Sequence, residues 1–246
     1  MHDVSTAAPL LRRRPPDERW FYTGMALAML ATVFVGFAPT FFLRPLFPDT
    51  PVPGEAIFTL HGIAFSAWVV LLLVQARLVA GRHIALHRRL GACGIALAVI
   101  MVVLGTMAAL VAARRGFIGV PVPPMQFLAI PLFDMLLFSL FVALAVVRRR
   151  EPQKHKRWML LATITLLTAA IARWPGVFDY GPPAFFALTD VFIVAMAIWD
   201  WRSLRRLHPV TLWGGLALIL SQPLRLVISG TETWMAFARW ATGLLG

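Results

Sequence analysis

The feature that most constrains this chain is a series of seven apolar runs, each long enough or nearly long enough to cross a membrane. A helix rises about 1.5 Å per residue, so about 20 residues span a hydrocarbon core about 30 Å thick. Helices satisfy their own backbone hydrogen bonds in lipid. The sequence therefore predicts an all-α fold, a polytopic transmembrane helical bundle of about seven spans. The predicted spans are Trp20–Leu43, Ala56–Ala80, Leu90–Ala113, Gln126–Val147, Trp158–Trp174, Ala184–Trp201 and Val210–Ser229.

Composition and segment lengths predict a single membrane domain. The 246 residues are 59% hydrophobic and only 14% charged, whereas soluble domains carry about 25% charged residues. The first run follows arginines, as in a signal peptide, but it is too long for an h-region and further spans follow, so we expect it to be retained. We predict a basic tail at residues 1–19, the bundle at 20–229 and an amphipathic tail at 230–246. The outer-interface face predicted for that last tail comprises Trp234, Phe237, Trp240, Ala241 and Leu244.

The positive charge is placed as in a membrane protein. The formal net charge is +12, and most lysines and arginines lie in the N-terminal tail or in the connections after the second, fourth and sixth spans. With seven spans those segments share one side, and the positive-inside rule then places the N-terminus in the cytoplasm and the C-terminus outside. We expect these clusters to contact anionic lipid headgroups, and no nucleic-acid-binding module is recognisable.

Five ionisable residues on five different spans are predicted to share one layer in the outer half of the bundle. Counted by helical rise, they lie about 7–12 Å from the outer surface. An isolated charge at the centre of a spanning helix costs about 2.5–3.5 kcal/mol or more, so arginine and aspartate are expected to pair there. We also expect Pro223 to free the carbonyl of Ile219 as a further acceptor near Arg225. The five candidate ligand-binding residues are His61, Asp134, Arg173, Asp190 and Arg225.

Two interpretations of this layer remain open from the sequence. In the first, arginine and aspartate form a staple that sets helix register, while Arg173 extends to the outer headgroups. In the second, Arg173 and Arg225 bind a polar or anionic small molecule from outside. Asp134, Asp190 and His61 then tune the charge or relay protons. The second interpretation predicts small-molecule transport, sensing or assembly of another complex.

Histidines at the inner ends of the helices suggest a different class of function. His87 and His155 stand at matching positions, at the starts of the third and fifth spans. They are candidate axial ligands of haem b in a cytochrome-b-like redox protein, could bind quinone or phosphate headgroups, or could be solvated anchors. Cys93 is the single cysteine, so no cysteine metal cage is expected. No common hydrolase, phosphate-loop or metalloprotease motif appears, so enzymatic activity is uncertain and not favoured.

Residue spacing also predicts how two helices pack. A stripe of small residues in the third span favours close backbone contact, which places that helix at the centre of the bundle. In the second span His61, Trp68 and Gln75 are seven residues apart, so they share one helical face that should turn toward protein. The small residues of the stripe are Gly91, Gly94, Ala98, Gly105 and Ala109.

The motifs "HGIAFSAW", "LHRRLG" and "HKRWM", followed by Arg173, resemble those of a family of uncharacterised bacterial multi-pass membrane proteins. That family is marked by a His motif, an LHRxLG motif and an HRRWM-type motif on successive helices. The resemblance covers about residues 56–174, although "HKRWMLLAT" lacks the family's more polar continuation. It implies a bacterial inner-membrane location and names no reaction. The residues that match the family's motifs are His61, His87, Arg88, Gly91, His155, Arg157, Trp158, Met159 and Arg173.

Overall fold

A computed structural model describes residues 16–117 and 122–244, and that part of the chain is helical without any strand. Most of the predicted basic tail lies outside these residues. A π-helical turn, Ala38–Phe42, extends the first helix, and short 3₁₀ turns occur at Arg44–Leu46 and Phe178–Tyr180. The helices are α1 Pro16–Phe37, α2 Ala56–Ala80, α3 Ile84–Arg115, α4 Pro124–Phe127, α5 Ala129–Val147, α6 Pro152–Ile171, α7 Pro182–Leu204, α8 Pro209–Ser229 and α9 Glu232–Gly243.

Within the described residues, six helical segments are long and apolar enough to cross a membrane, which indicates a multi-pass membrane protein. They correspond to six of the seven predicted spans. The predicted fifth span falls on α6, which does not reach the same apolarity because it begins with a polar turn and carries threonines along its length. The six segments are Glu18–Phe42, Ala56–Ala80, Ile84–Arg115, Pro124–Val147, Pro182–Leu204 and Pro209–Ser229.

The least apolar of the long helices, α6, is the most buried. Twelve of its 20 residues are buried, and it packs against α1, α5, α7 and α8. A helix surrounded by protein needs no lipid-facing apolar surface. Two of its three threonines bond to the backbone of their own helix: Thr163 donates to the carbonyl of Met159 at 3.1 Å and Thr165 to that of Ala162 at 2.7 Å. Burial therefore explains the low hydropathy of α6.

The expectation that the third span is central was wrong, because α6 holds that place. The helix α3 packs on α2 and α5 and leaves Ile95, Val99 and Val103 exposed. Its small residues do mediate close packing, since Gly94, Ala98, Gly105 and Ala109 are all buried. A Cβ at Gly105 would overlap the Met135 sulfur of α5, whereas Gly91 is only half-buried.

Two direct contacts attach α6 to α1 and α2. The indole of Trp68 on α2 donates to Thr163 Oγ1 at 3.1 Å, and Gly36 of α1 lies so close to the backbone of Ala170 that a Cβ would overlap it. The first contact confirms that the Trp68 face of α2 turns toward protein. Because α6 also packs on α5, α7 and α8, it connects the first part of the bundle to the last.

The C-terminal helix α9 packs against α3, α4 and α8. The Trp234 indole donates to the carbonyl of Met125 at 2.8 Å, and Trp234 and Ala238 pack with alanines of α3 and with Leu128. The face predicted for the membrane interface is thus divided. Its members Trp234 and Ala241 are buried in the bundle, and its exposed members are Phe237, Trp240 and Leu244.

Candidate functional site

The centre of the predicted outer layer is a buried ion pair between α8 and α5. Arg225 Nη1 donates to Asp134 Oδ1 at 2.6 Å, and the two side chains are 1% and 8% exposed. The sequence interpretation expected arginine and aspartate to pair at this level. The structure selects Asp134 as the partner of Arg225.

Most of the remaining donors of Arg225 are also occupied. Its Nε and Nη2 donate to the carbonyl and hydroxyl of Ser221 at 3.3 and 2.9 Å, and Nη1 reaches the Ile130 carbonyl at 3.4 Å. These acceptors are supplied by Ser221 and Ile130 rather than by Ile219, which was the expected one. The guanidinium also lies 5.7 and 5.4 Å from the ring centroids of Phe133 and Phe186, within cation–π range.

Asp190 of α7 lies beside this pair. Its Oδ1 accepts a hydrogen bond of 2.7 Å from Gln222 Nε2, and Gln222 is three residues from Arg225 on the same helix. Asp190 is half-buried, and among the described residues no lysine or arginine forms an ion pair with it. The Asp190 carboxylate therefore has a neutral partner, while the nearby Arg225 already binds Asp134.

His61 and Arg173 form a second group, at the ends of α2 and α6. The His61 ring stacks on Phe65 with centroids 3.9 Å apart, and no described residue forms a hydrogen bond with its buried Nδ1. Arg173 lies close enough to His61 for an electrostatic interaction. It donates to the Ala169 carbonyl at 2.6 Å and lies 4.7 Å from the Phe37 ring centroid, with its side chain exposed.

The five predicted residues are therefore not joined into one cluster by direct contacts. Arg225 binds Asp134, and Asp190 binds Gln222, which lies one turn from Arg225 on the same helix; we call these four residues, with Ser221, the outer polar group after the predicted outer layer. Within the described residues, no hydrogen bond or ion pair links this group to His61 or Arg173. Ser221 and Gln222 can be seen in the sequence "SQPLR". Their roles become clear only in the structure, where Ser221 bonds to Arg225 and Gln222 to Asp190.

A second buried ion pair at the other end of the bundle was not expected. Arg157 of α6 binds Asp200 of α7 through Nε at 3.0 Å and through Nη2, and each residue is 1% exposed. Arg157 Nη1 also donates to the backbone and side-chain oxygens of Gln153, both at 2.8 Å. From the sequence, Arg157 was counted among the basic residues of the connection between the fourth and fifth spans. The signal for its partner was an aspartate within the apolar run "AMAIWDW".

His208 connects this inner pair to the start of α8. Its backbone N–H donates to Asp200 Oδ2 at 3.1 Å, and its Nδ1 accepts from the Val210 N–H at 3.1 Å, which caps the helix. Burial, and then the positive charge of Arg157, lower the pKa of His208 to about 4. The ring is therefore neutral at pH 7, as an acceptor at Nδ1 must be.

The two inner histidines do lie together. The ring centroids of His87 and His155 are 6.4 Å apart, with the ring planes at 83°. A carbonyl oxygen can only accept, so His155 Nδ1 donates its proton to the Ala145 carbonyl at 2.8 Å. Haem ligation by this pair stays a prediction.

Two surface clefts lie away from both ion pairs and from the histidine pair. One, of about 470 Å³, lies between the end of α2 and the start of α3 and includes Arg77 and His83. The other, of about 320 Å³, is formed by apolar residues of α1 and α2. Within the described residues no group of three or more His, Cys, Asp or Glu side chains is placed to hold a metal ion, and Cys93 is exposed.

Comparison with known proteins gives no relative: no family model, curated protein or solved structure matches this chain. The resemblance to the family with His, LHRxLG and HRRWM-type motifs stays a prediction. The six apolar helices in the described part of the chain indicate a multi-pass helical membrane protein.

Proposed function

We propose that the chain crosses the bacterial inner membrane seven times, with α6 as the additional span. The 20 residues of α6 form a helix about 30 Å long, which matches the hydrocarbon core. It follows α5 through a turn at residues 148–151 and packs along it, as the second helix of a hairpin does. Seven spans place the basic connections on the cytoplasmic side and α9 at the outer surface.

Cysteine labelling tests this topology. In a Cys93→Ser background, Asp179→Cys, beyond the end of α6, should react with a membrane-impermeant maleimide in intact cells. Arg149→Cys, in the turn before α6, should react only after permeabilisation. Reaction of both positions on the same side would show that α6 does not span the membrane.

We propose further that the outer polar group binds a small polar or cationic molecule from outside, as the recognition step of transport, sensing or complex assembly. The observation that carries this proposal is the environment of Asp190, a half-buried carboxylate in a helix proposed to span the membrane. Among the described residues, its one hydrogen-bond partner is the neutral amide of Gln222. A ligand that supplies positive charge or hydrogen-bond donors would offset its burial. Arg225 is already paired with Asp134, so an anionic ligand would have to use Arg173 instead.

Thermal denaturation with added ligands tests the binding proposal. The detergent-purified protein should be stabilised by at least one member of a panel of alkali cations, guanidinium compounds and quaternary ammonium compounds, because a ligand of the folded state raises its stability. Asp190→Asn should abolish that stabilisation. The matched control Asp49→Asn, an exposed loop carboxylate, should retain it.

Two results would contradict the proposal. The first is that no compound in the panel raises the melting temperature of the parent protein. The second is that the stabilised parent and Asp190→Asn respond equally. In either case the outer polar group would act as a structural staple between α5, α7 and α8.

A further inference from the structure

Two buried polar atoms that lack a partner in the described residues lie at the inner histidine pair. Within the described part of the chain, neither the buried His87 Nδ1 nor the buried side-chain oxygen of Gln75 has a hydrogen-bond partner. The two residues are in contact, because Gln75 Nε2 donates to the His87 backbone carbonyl at 3.2 Å. Buried polar atoms normally find a partner, so two such atoms on touching residues need one from outside the described chain, either an ordered water or a bound ion.

His155 adds a third available acceptor. Its Nδ1 proton is donated to the Ala145 carbonyl, so in the neutral form of the ring the lone pair is on Nε2. In metal-binding histidines, the ring nitrogen that does not bind the metal characteristically donates its N–H to a carbonyl or carboxylate, as His155 Nδ1 does here. This hydrogen bond sets the tautomer and the ring orientation. His87 lies on α3 and His155 on α6, so a shared ligand would join two helices.

We infer that His87 and His155, with the Gln75 side-chain oxygen as a weaker third ligand, bind a late first-row transition-metal ion such as Zn²⁺ or Cu²⁺. Imidazole nitrogens bind zinc at about 2.0–2.1 Å, which places two rings that share one ion roughly 5–6.5 Å apart between centroids. The observed 6.4 Å corresponds to two nitrogens nearly opposite each other across the ion, so a tetrahedral ion would draw the rings about 1 Å closer together. Two nitrogens and one oxygen suit these ions and leave coordination positions open.

A bare ion fits this position better than a porphyrin. A haem needs a slot between the helices that carry its ligands, and neither of the two clefts described above is lined by His87 or His155. An ion needs only a small movement of the two rings. The site also shares no residue with the outer polar group, so this inference does not depend on the ligand proposed there.

Zinc binding to the full-length protein, purified in detergent with an affinity tag that lacks histidine, tests the inference. Titration calorimetry should detect one Zn²⁺ per chain in the parent. His87→Ala and His155→Ala should each weaken binding more than about 100-fold, and Gln75→Ala about tenfold, because outer-shell losses alone cost about 10- to 100-fold. His83→Ala removes an exposed histidine one turn before His87 and should bind as the parent does.

Cobalt gives a readout on the unmodified protein, independent of whether a variant folds. Co²⁺ should produce visible absorption bands of a nitrogen-ligated ion, and Zn²⁺ should displace it. Absence of these bands together with absence of zinc binding by the parent overturns the inference. So does full binding by both histidine variants, or a haem absorption band that disappears in His155→Ala, which would assign the pair to haem.

Discussion

Arg225 and Asp134 meet at 2.6 Å between α8 and α5, in a part of the bundle where both side chains are buried. The guanidinium is further held by two oxygens of Ser221, so its position is set by its own helix as well as by its partner. An ion pair of this kind is costly to break, because removal of one partner leaves the other charge buried. It therefore specifies how α5 and α8 are aligned.

Arg225→Leu is expected to lower the free energy of unfolding by about 3–5 kcal/mol, since Asp134 is left buried without its cation. The double variant Arg225→Leu/Asp134→Leu removes both charges and should regain much of that loss. Thermal melts in one detergent measure both effects. A double variant as unstable as the sum of the two single variants would show that the charges are not coupled.

Asp200→Asn should destabilise the bundle by a similar amount, about 3–5 kcal/mol, because Arg157 then lacks a carboxylate in a fully buried position. Asp179→Asn is the matched control, since Asp179 is exposed in the connection before α7 and forms no ion pair in the described residues. Chemical or thermal denaturation compares the two. Equal stability of Asp200→Asn and the control would contradict a structural role for the inner pair.

Titration of His208 should lower the free energy of unfolding as the pH falls from 6.5 to about 4. Its pKa is lowered to about 4 in the folded protein from 6.5, first by burial and then by Arg157. In that window the unfolded chain binds more protons than the folded one, so stability rises with pH and is lost as pH decreases. Protonation also removes the Nδ1 acceptor that caps α8.

His208→Asn provides the comparison for this pH dependence, because asparagine caps helices without titrating there. Melting temperatures of parent and variant should converge near neutral pH and separate as pH falls, with the variant less sensitive. The same slope in both proteins would assign the pH dependence to other groups.

Gly36→Ala should destabilise the contact between α1 and α6 by about 1–3 kcal/mol, because its Cβ would overlap the Ala170 backbone, which cannot rotate away. Gly24→Ala, on the same helix with open space around it, should be neutral or stabilising by up to about 1 kcal/mol. Melting temperatures of the two variants should therefore shift in opposite directions or differ clearly. Equal shifts would show that α1 can move away from α6 without loss.

Much of the fold could be predicted because the cause is local. A run such as Ala56–Ala80 is apolar over its whole length, and lipid admits it only as a helix, so its bounds agree with α2 residue for residue. The same reasoning predicted a span at Trp158–Trp174 but missed the polar first turn of α6, which begins at Pro152. That polar start and the threonines of α6 are explained only by its neighbours. The position of α3 was misjudged for a related reason. Small residues show that a helix packs closely against a neighbour, but they do not show how many neighbours it has.

The candidate site was predictable by residue type and only partly by partner. Burying the charges of Arg225 and Asp134 costs free energy, so each was expected to have a partner of opposite charge. The rise per residue along each helix placed the two at one level. Rise along a helix does not give rotation about its axis, so the choice of Asp134 over Asp190 could not be read from spacing. Asp200 was missed because its partner Arg157 looks like a loop residue among other basic residues.

The sequence by itself determined that this chain is a helical membrane protein with buried charges that had to be compensated, because hydropathy and backbone hydrogen bonding act along a single segment. Only the tertiary structure decided which helix is central and which charges meet. Those outcomes depend on the relative rotation and contact of helices, which are set by packing at positions such as Gly36 and Gly105. The pairing of His87 with His155 belongs to the same category, since matched positions in the chain became neighbours only when α3 and α6 packed into one bundle.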